Sequence, residues 1–308
     1  MTYYPVIIPT LNRYDHLRQC VESLSHNTHA DKTELVIGLD YPPSEKYVDG
    51  YQKIKEYIPT ISGFKKVTVF ERKENYGQDK NYEDLKSYAF ANYDALIYTE
   101  DDNEFSPCFL DFMNKALERY KLDNRISSVQ GYNDSKFSEI KGPNIMFAPS
   151  GGVWGVGQWR DKQSMLQTDK DFPKTVLYSL SSSWKIFKTI PAILNMLIAM
   201  VNKCDYWDDV TYCCLNILNN RYQVKPRLSM VRNMGNDGSG LHSGIDERFI
   251  NQKIETAAIF DLDDAELVVD QKSKQIRFYG LLPDNRIKAW KSIFGTVIRY
   301  IKFRTRAR

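Results

Sequence analysis

Ala95-Leu96-Ile97-Tyr98-Thr99-Glu100-Asp101-Asp102-Asn103-Glu104 is the stretch from which the rest of the chain can be read. Its first five residues form an apolar run of strand length with an aromatic and a β-branched residue, which predicts a buried strand. Four carboxylates follow at once: Glu100, Asp101, Asp102 and Glu104. Ser106-Pro107 then reads as a helix start, Ser as N-cap and Pro at the first helical position. Phe109, Leu110, Met113, Ala116, Leu117 and Tyr120 continue at helical spacing. The acids are therefore expected at the carboxyl end of a strand, on the turn into a helix, where open α/β sheets hold ligands. Two carboxylates about 4 Å apart repel by up to ~4 kcal/mol at an effective dielectric near ~20. Such a cluster is stable when solvated, partly protonated or neutralised by a cation. A solvated acidic turn is the plainer alternative. The strand-end position favours a hard divalent ion, Mn²⁺ or Mg²⁺, which takes carboxylate and phosphate oxygens.

Upstream, Val6-Ile7-Ile8, Leu35 to Leu39 and Val67 to Phe70 are further buried strands. They end at Pro9 to Arg13, at Asp40, and at Glu71-Arg72 with the loop Asn75-Tyr76-Gly77. Helices are predicted between them, with Leu17, Cys20, Val21 and Leu24 on one face, then Tyr47, Tyr51, Ile54 and Ile58, then residues 79 to 93. Ser127 to Gln130 makes a fifth strand. This alternation describes a doubly wound, mostly parallel α/β sheet. After Gly131 the rhythm gives way to Gly-rich and aromatic sequence, Gly151 to Trp159. Two helices are expected at about Trp184 to Lys203 and Trp207 to Asn219, then a loop from Arg232 to His242.

Composition narrows the class. A chain of 308 residues, 42% hydrophobic and 26% charged, is ordinary for a globular protein. Five cysteines without Cys-x-x-Cys spacing argue for a reducing compartment and against a zinc site. Pro9 and Arg13 interrupt the apolar run near the N-terminus, so no signal peptide is expected. The longest apolar stretch, Ile190 to Val201, falls short of the ~20 residues of a spanning helix. Neither Gly-x-Gly-x-x-Gly nor Gly-x-x-x-x-Gly-Lys-Ser/Thr occurs, which counts against dehydrogenases and P-loop enzymes. From Arg286 onward there are eight basic residues and no acid, so the remainder is net acidic. Ile287, Trp290, Ile293, Phe294, Val297, Ile298 and Ile301 fall in one helical arc, flanked by lysines and arginines. Such a helix lies in a membrane interface, or docks its apolar face on the catalytic domain or a second subunit.

Pro5 to Arg13 resembles the opening strand of GT-A-fold glycosyltransferases. Glu100-Asp101-Asp102, followed by an acid, an aromatic and Ser-Pro, is similar to the metal motif of N-acetylglucosaminyltransferase I and related bacterial enzymes. Trp207-Asp208-Asp209 resembles the same enzymes, and the loop ending at His242 resembles one in capsule and O-antigen transferases of the family 2 type. The resemblance implies a GT-A fold with a helical acceptor region and a C-terminal amphipathic helix. Its parts would be a donor-binding half at residues 1–130, an acceptor and catalytic half at 131–245, an extension at 246–285 and a basic tail at 286–308. It implies that Thr10, Asn12, Arg13, Asp40, Asn75, Gly77, Glu100 and Asp101 bind the nucleotide-sugar donor. Arg13 would meet the diphosphate and Asp40 the N3–H of a uracil. Asp102 and His242 would hold the metal. Asp208 would be the base that takes the acceptor's proton, with Gly152, Trp154, Trp207 and Asp209 around the sugars and Trp207 shielding the carboxylates from water.

For Asp208 and Asp209 the alternative is a pair of first-turn acids at a helix N-terminus. His16, His26 and His29 are expected to face solvent. The expectation is an inverting, metal-dependent transferase moving a sugar from a UDP-sugar to a glycan or lipid-linked precursor of a bacterial surface polysaccharide. It would be cytoplasmic, with peripheral membrane contact through 286–308 and no nucleic-acid partner. The alternatives are a nucleotide-sugar-forming nucleotidyltransferase, which lacks its Gly-rich loop here, and a non-catalytic sugar- or nucleotide-binding protein.

Overall fold

The computed structural model describes residues 2–135, 144–149, 152–238, 244–256, 260, 262 and 286–306. Strands β1 (Val6–Thr10), β2 (Glu34–Leu39), β3 (Lys66–Glu71) and β4 (Ala95–Tyr98) are parallel. Between them run α1 (Tyr14–Ser25), α2 (Val48–Tyr57) and α3 (Gly77–Asn92), as the periodicity predicts. β1 shows why its run is apolar throughout. Val6 and Ile8 enter the core under α1, α2 and α4 (Phe109–Tyr120), while Ile7 enters a second core against Leu85 and Ala89 of α3. A parallel strand covered on both faces has no polar side.

The chain continues through β5 (Asn103–Phe105), α4, β6 (Ile126–Gln130), β7 (Ile145–Ala148), β8 (Val156–Trp159), α5 (Phe172–Tyr178), α6 (Leu180–Thr189), α7 (Ala192–Lys203) and α8 (Asp208–Asn219). Then follow β9 (Tyr222–Pro226), β10 (Val231–Asn233), α9 (Glu247–Ile250) and α10 (Arg286–Arg306). The main sheet has the order β3-β2-β1-β4-β8-β6-β9-β7. β8 is antiparallel to both β4 and β6, and β7 to β9, while β6 and β9 are parallel. This is the α/β, mostly parallel, GT-A-like fold. The division expected at residue 130 falls inside one continuous sheet, and most of 246–285 lies outside the described residues.

Three local expectations are corrected. The acids do not lead straight into a helix, because Asn103–Phe105 pairs antiparallel with Val231–Asn233. Phe105 is buried there, and α4 begins only at Phe109. The segment Trp184 to Lys203 is two helices, broken at Pro191, whose ring cannot continue the preceding turn. Val231–Asn233, expected within a loop, is a strand.

Helices α5 to α8 enclose their own core around Leu177, Ile186, Leu194, Leu197 and Cys214. α10 docks against it by burying Ile293 and Thr296 and packing Tyr300 and Phe303. The Asn195 amide donates to Thr296 at 2.7 Å and the Tyr300 hydroxyl to the Leu177 carbonyl at 3.0 Å. The single apolar arc expected of the tail is thereby split: Ile287, Trp290, Phe294, Ile298 and Ile301 stay exposed. Among the described residues no helix is long and apolar enough to cross a membrane. All five cysteines are free.

Candidate active site

The carboxyl ends of β3, β2, β1 and β4 lie side by side, joined by Arg72 N–H to Leu39 O, Asp40 N–H to Thr10 O and Thr99 N–H to Ile7 O. Because β8 runs the other way, its first residue, Val156, sits opposite Tyr98 and Gln130. The segment 152–155 thus arrives at the same edge, beside the acids.

At that edge Arg13 donates to both Asp101 and Asp102, the latter at 2.7 Å. Thr10 Oγ1 donates to Asp101 Oδ2 at 2.8 Å, and Asn233 Nδ2 to Asp102 Oδ1 at 2.8 Å. Trp154 Nε1 donates to Glu100 Oε2 at 3.0 Å. Burial, with Asp102 and Asp101 alongside, pushes the Glu100 carboxyl up to about 8, so it is largely protonated at neutral pH. Burial also raises Asp101, against the pull of Arg13. Glu104 is not part of this cluster. It faces away on β5, where Arg232 grips both of its oxygens at 2.7 and 2.8 Å and Gln19 donates at 2.8 Å. The four clustered acids expected are three.

Among the described residues no group of three His, Cys, Asp or Glu side chains is set to enclose a metal. His242 lies outside the described residues. The donor set fits a looser arrangement. Asp102 and Asp101 are hard oxygen ligands already facing a cation, the Arg13 guanidinium, and a divalent ion needs only one or two carboxylates when phosphate and water complete its shell.

Asp40 is arranged differently from the expected contact with a base. Its Oδ1 accepts from the Tyr41 and Tyr76 amides at 2.9 and 2.7 Å, and its Oδ2 from Gly77 N at 2.9 Å and Asn75 Nδ2 at 3.2 Å. A carboxylate has about four acceptor sites, and all are engaged. Asp40 fixes the turn that begins α3, where Gly77 takes a left-handed φ of 72°. Asn12 reaches the edge by its backbone: its carbonyl is packed against Gly50 of α2, where a Cβ would lie 2.0 Å away. Beside the turn, Arg72 is buried with Nε on Asn81 at 3.0 Å and Nη1 on Asp84. Its Nη2 has no partner among the described residues.

Asp208 and Asp209 open α8, and both carboxylates reach solvent. Partial burial and the neighbouring Asp79, Asp209 and Glu83 raise Asp208. Asp79 and Glu83 belong to α3, and Tyr82 of that helix packs edge-on to Tyr98, 4.6 Å between ring centres. Trp207 does not shield them: its indole donates to Asp205 at 2.8 Å and packs on the helical core.

Trp154 connects the acids to the second half of the sheet, stacking edge-on with Tyr132 at 4.8 Å and with Phe249 at 5.4 Å. Gln130 Nε2 holds the Trp154 carbonyl at 2.8 Å, and a Cβ on Gly152 would meet Gln130 Oε1 at 3.0 Å. Asn233, Gly235, Gln130 and Lys225 escape sequence reasoning, since nothing local marks them. His16 was expected in solvent. It lies 3.2 Å from Asp237 and ties the 234–238 loop to α1, whereas His26 is exposed as expected. His29 bonds Asp111 at 3.2 Å.

Residues 6–184 match the family model described as glycosyl transferase family 2. Among solved structures, the chain is similar to S. aureus TarS 1-349 (13% identity, TM-score 0.37, 82% of this chain and 79% of that one). It is also similar to mannosyltransferase PcManGT from Pyrobaculum calidifontis in complex with GDP-Man and Mn²⁺ (13% identity, TM-score 0.40, 70% and 69%). Against a longer TarS chain the match has 17% identity and a TM-score of 0.32, and covers 49% of this chain and 25% of that one. The chain thus spans about a quarter of that protein's length. No curated protein matches the sequence.

Proposed function

The chain belongs to glycosyl transferase family 2; from that premise we propose that it is a metal-assisted, inverting glycosyltransferase drawing on a nucleotide-sugar donor, with Asp208 as its base. The observation that carries the proposal is the joining of Thr10, Arg13, Asp101 and Asp102 at one strand edge, with Trp154 linking Glu100 to the other half of the sheet.

The donor lies along β3-β2-β1-β4. The unpartnered Nη2 of Arg72 offers a donor to a carbonyl oxygen of the base, while Asp40 positions the turn beneath it. Arg13 is poised between its carboxylates and the diphosphate, which its planar fork suits. Asp102, with Asp101 beside it, would hold the divalent ion, which when bound supplies positive charge to the departing diphosphate. Neutral Glu100, held by Trp154, can donate its proton in a hydrogen bond to a sugar hydroxyl. On the acceptor side, Asp208 takes the proton of the attacking hydroxyl and keeps it, its raised pKa making it the stronger base. Displacement from the face opposite the leaving group inverts the anomeric centre. The acceptor we propose is a glycan or lipid-linked surface polysaccharide precursor. In support, α10 turns Trp290, Phe294 and a row of basic residues outward, a face suited to an anionic membrane surface.

The test is nucleoside diphosphate release from a panel of UDP- and GDP-sugars with titrated Mn²⁺ or Mg²⁺. One donor should be turned over, chelation should abolish it, and Asp102→Ala should stop turnover while the melting temperature holds. Full turnover in verified metal-free buffer would refute the metal, and no turnover of any donor would refute the assignment of substrates.

A further inference from the structure

Lys225 stands apart from the machinery described above. It is 6% exposed, on β9, yet its ammonium forms no ion pair or hydrogen bond among the described residues. The Tyr132 ring is its neighbour, 5.9 Å from the nitrogen to the ring centre. β6 and β9 run in parallel register, Val129 opposite Val224. The following pair, Gln130 and Lys225, therefore shares the face turned away from the core that holds Val129 and Val224. Gln130 is fully buried; its amide nitrogen is spent on the Trp154 carbonyl, and its Oε1 has no partner among the described residues. The nearest cover over that oxygen is Gly152, where a side chain would collide with it.

An unpaired ammonium and an unpaired amide oxygen, side by side, are costly to bury unless something completes them. We infer that Lys225 and Gln130 form a subsite, on the half of the sheet assigned to the acceptor, for an anionic oxygen group, carboxylate or phosphate, borne on a hydroxylated substrate. The anionic oxygens take the Lys225 protons, a neighbouring hydroxyl donates to Gln130 Oε1, and the Tyr132 and Trp154 rings flank the carbon skeleton. Burial lowers the Lys225 ammonium to about 8, with Asp134 and Cys213 as the titratable groups acting on it, so anion preference should fade as pH rises through that value. The inference rests on the glycosyltransferase reading, because it assigns this half of the sheet to the acceptor.

The experiment is ligand-observed NMR on the full chain, with saturating UDP (or GDP where the donor screen selects it) blocking the diphosphate site. The probes are glucuronate, glycerol 3-phosphate, glucose and glycerol. At pH 7 at least one anionic probe should bind tenfold or more tightly than its neutral counterpart. Which one does so tells carboxylate from phosphate. Lys225→Met should bring the preference within about twofold without lowering the melting temperature, since it removes an unpaired buried charge; Lys225→Arg should keep part of the preference. Equal binding of charged and neutral probes by the unaltered protein overturns the inference, as does a preference that survives in Lys225→Met. If Lys225→Met melts well below the parent, the lysine is structural and the inference also falls. Failure of the nucleotide itself to bind would instead overturn the proposed function.

Discussion

Gly235→Ala should disable the proposed metal site without replacing a proposed ligand. The residue does not lie in the left-handed region, so its backbone accepts alanine. Space is what is missing. A Cβ at 235 would lie 2.0 Å from Asp102 Oδ2, 2.7 Å from its Cγ and 3.1 Å from its Cβ. Carbon and oxygen do not approach within about 3 Å without a bond, so something must move by about 1 Å. The backbone is clamped, by Met234 N–H to Asp102 O at 2.7 Å and by Gly235 N–H to Asn233 Oδ1 at 3.1 Å. The carboxylate is the part that yields, and its 2.7 Å contact with Arg13 goes with it. A misplacement of about 1 Å in a catalytic constellation costs roughly 10²-fold, or about 2.7 kcal/mol of barrier. The assay is nucleotide release across a Mn²⁺ titration, with a thermal melt alongside. Gly244→Ala, where a Cβ meets nothing within 4 Å, is the control and should stay within about twofold of the parent. Parental activity with an unshifted metal titration in Gly235→Ala would show that Asp102 does not position the ion.

Three further outcomes are expected. Asp208→Asn should leave donor binding intact and lower transfer by about 10²–10⁴, the usual weight of a general base; if Asp209→Asn is the damaging change, the base is the neighbour. Glu34 is held at about 2 because hydrogen bonds from Thr68, Tyr93, Lys66 and Tyr88 outweigh the upward effect of its burial. Its folded pKa lies below its unfolded value near 4.5, so it stabilises above that pH and the benefit is lost as pH falls toward 2. Glu34→Gln should thus cost about 3 kcal/mol in denaturant unfolding at pH 7 and progressively less between pH 4.5 and 2.5. An unchanged gap at pH 2.5 contradicts this account. For the tail, Trp290→Ser with Phe294→Ser should preserve the melt, since those side chains are 61% and 71% exposed, and should abolish low-salt sedimentation with anionic vesicles. Binding that persists in the double variant, or never occurs in the parent, removes the membrane face.

The sequence alone was sufficient for the first four strands, their helices and the strand-end placement of Thr10, Arg13, Asp40 and Glu100 to Asp102. All of these follow from local signals: apolar runs of strand length, a 3.6-residue period, and polar residues where each run stops. Those signals say nothing about which distant segment will pair. β8 therefore entered between β4 and β6 unforeseen, and its antiparallel direction is what carries Trp154 to Glu100. The β5–β10 ladder was equally hidden, since it joins Asn103 to Asn233, far apart in the chain. That ladder removed Glu104 from the acidic cluster by pairing it with Arg232, and it brought Asn233 and Gly235 against Asp102. Lys225 and Gln130 read as ordinary strand residues until the register of β6 and β9 put them on one face, Gln130 under Gly152. The tail shows the same limit from the other direction. Its period correctly predicted an amphipathic helix, but only packing decided that Ile293 turns inward while Trp290 and Phe294 face solvent. Periodicity reports which residues share a face; burial and pairing over long separations decide what that face meets.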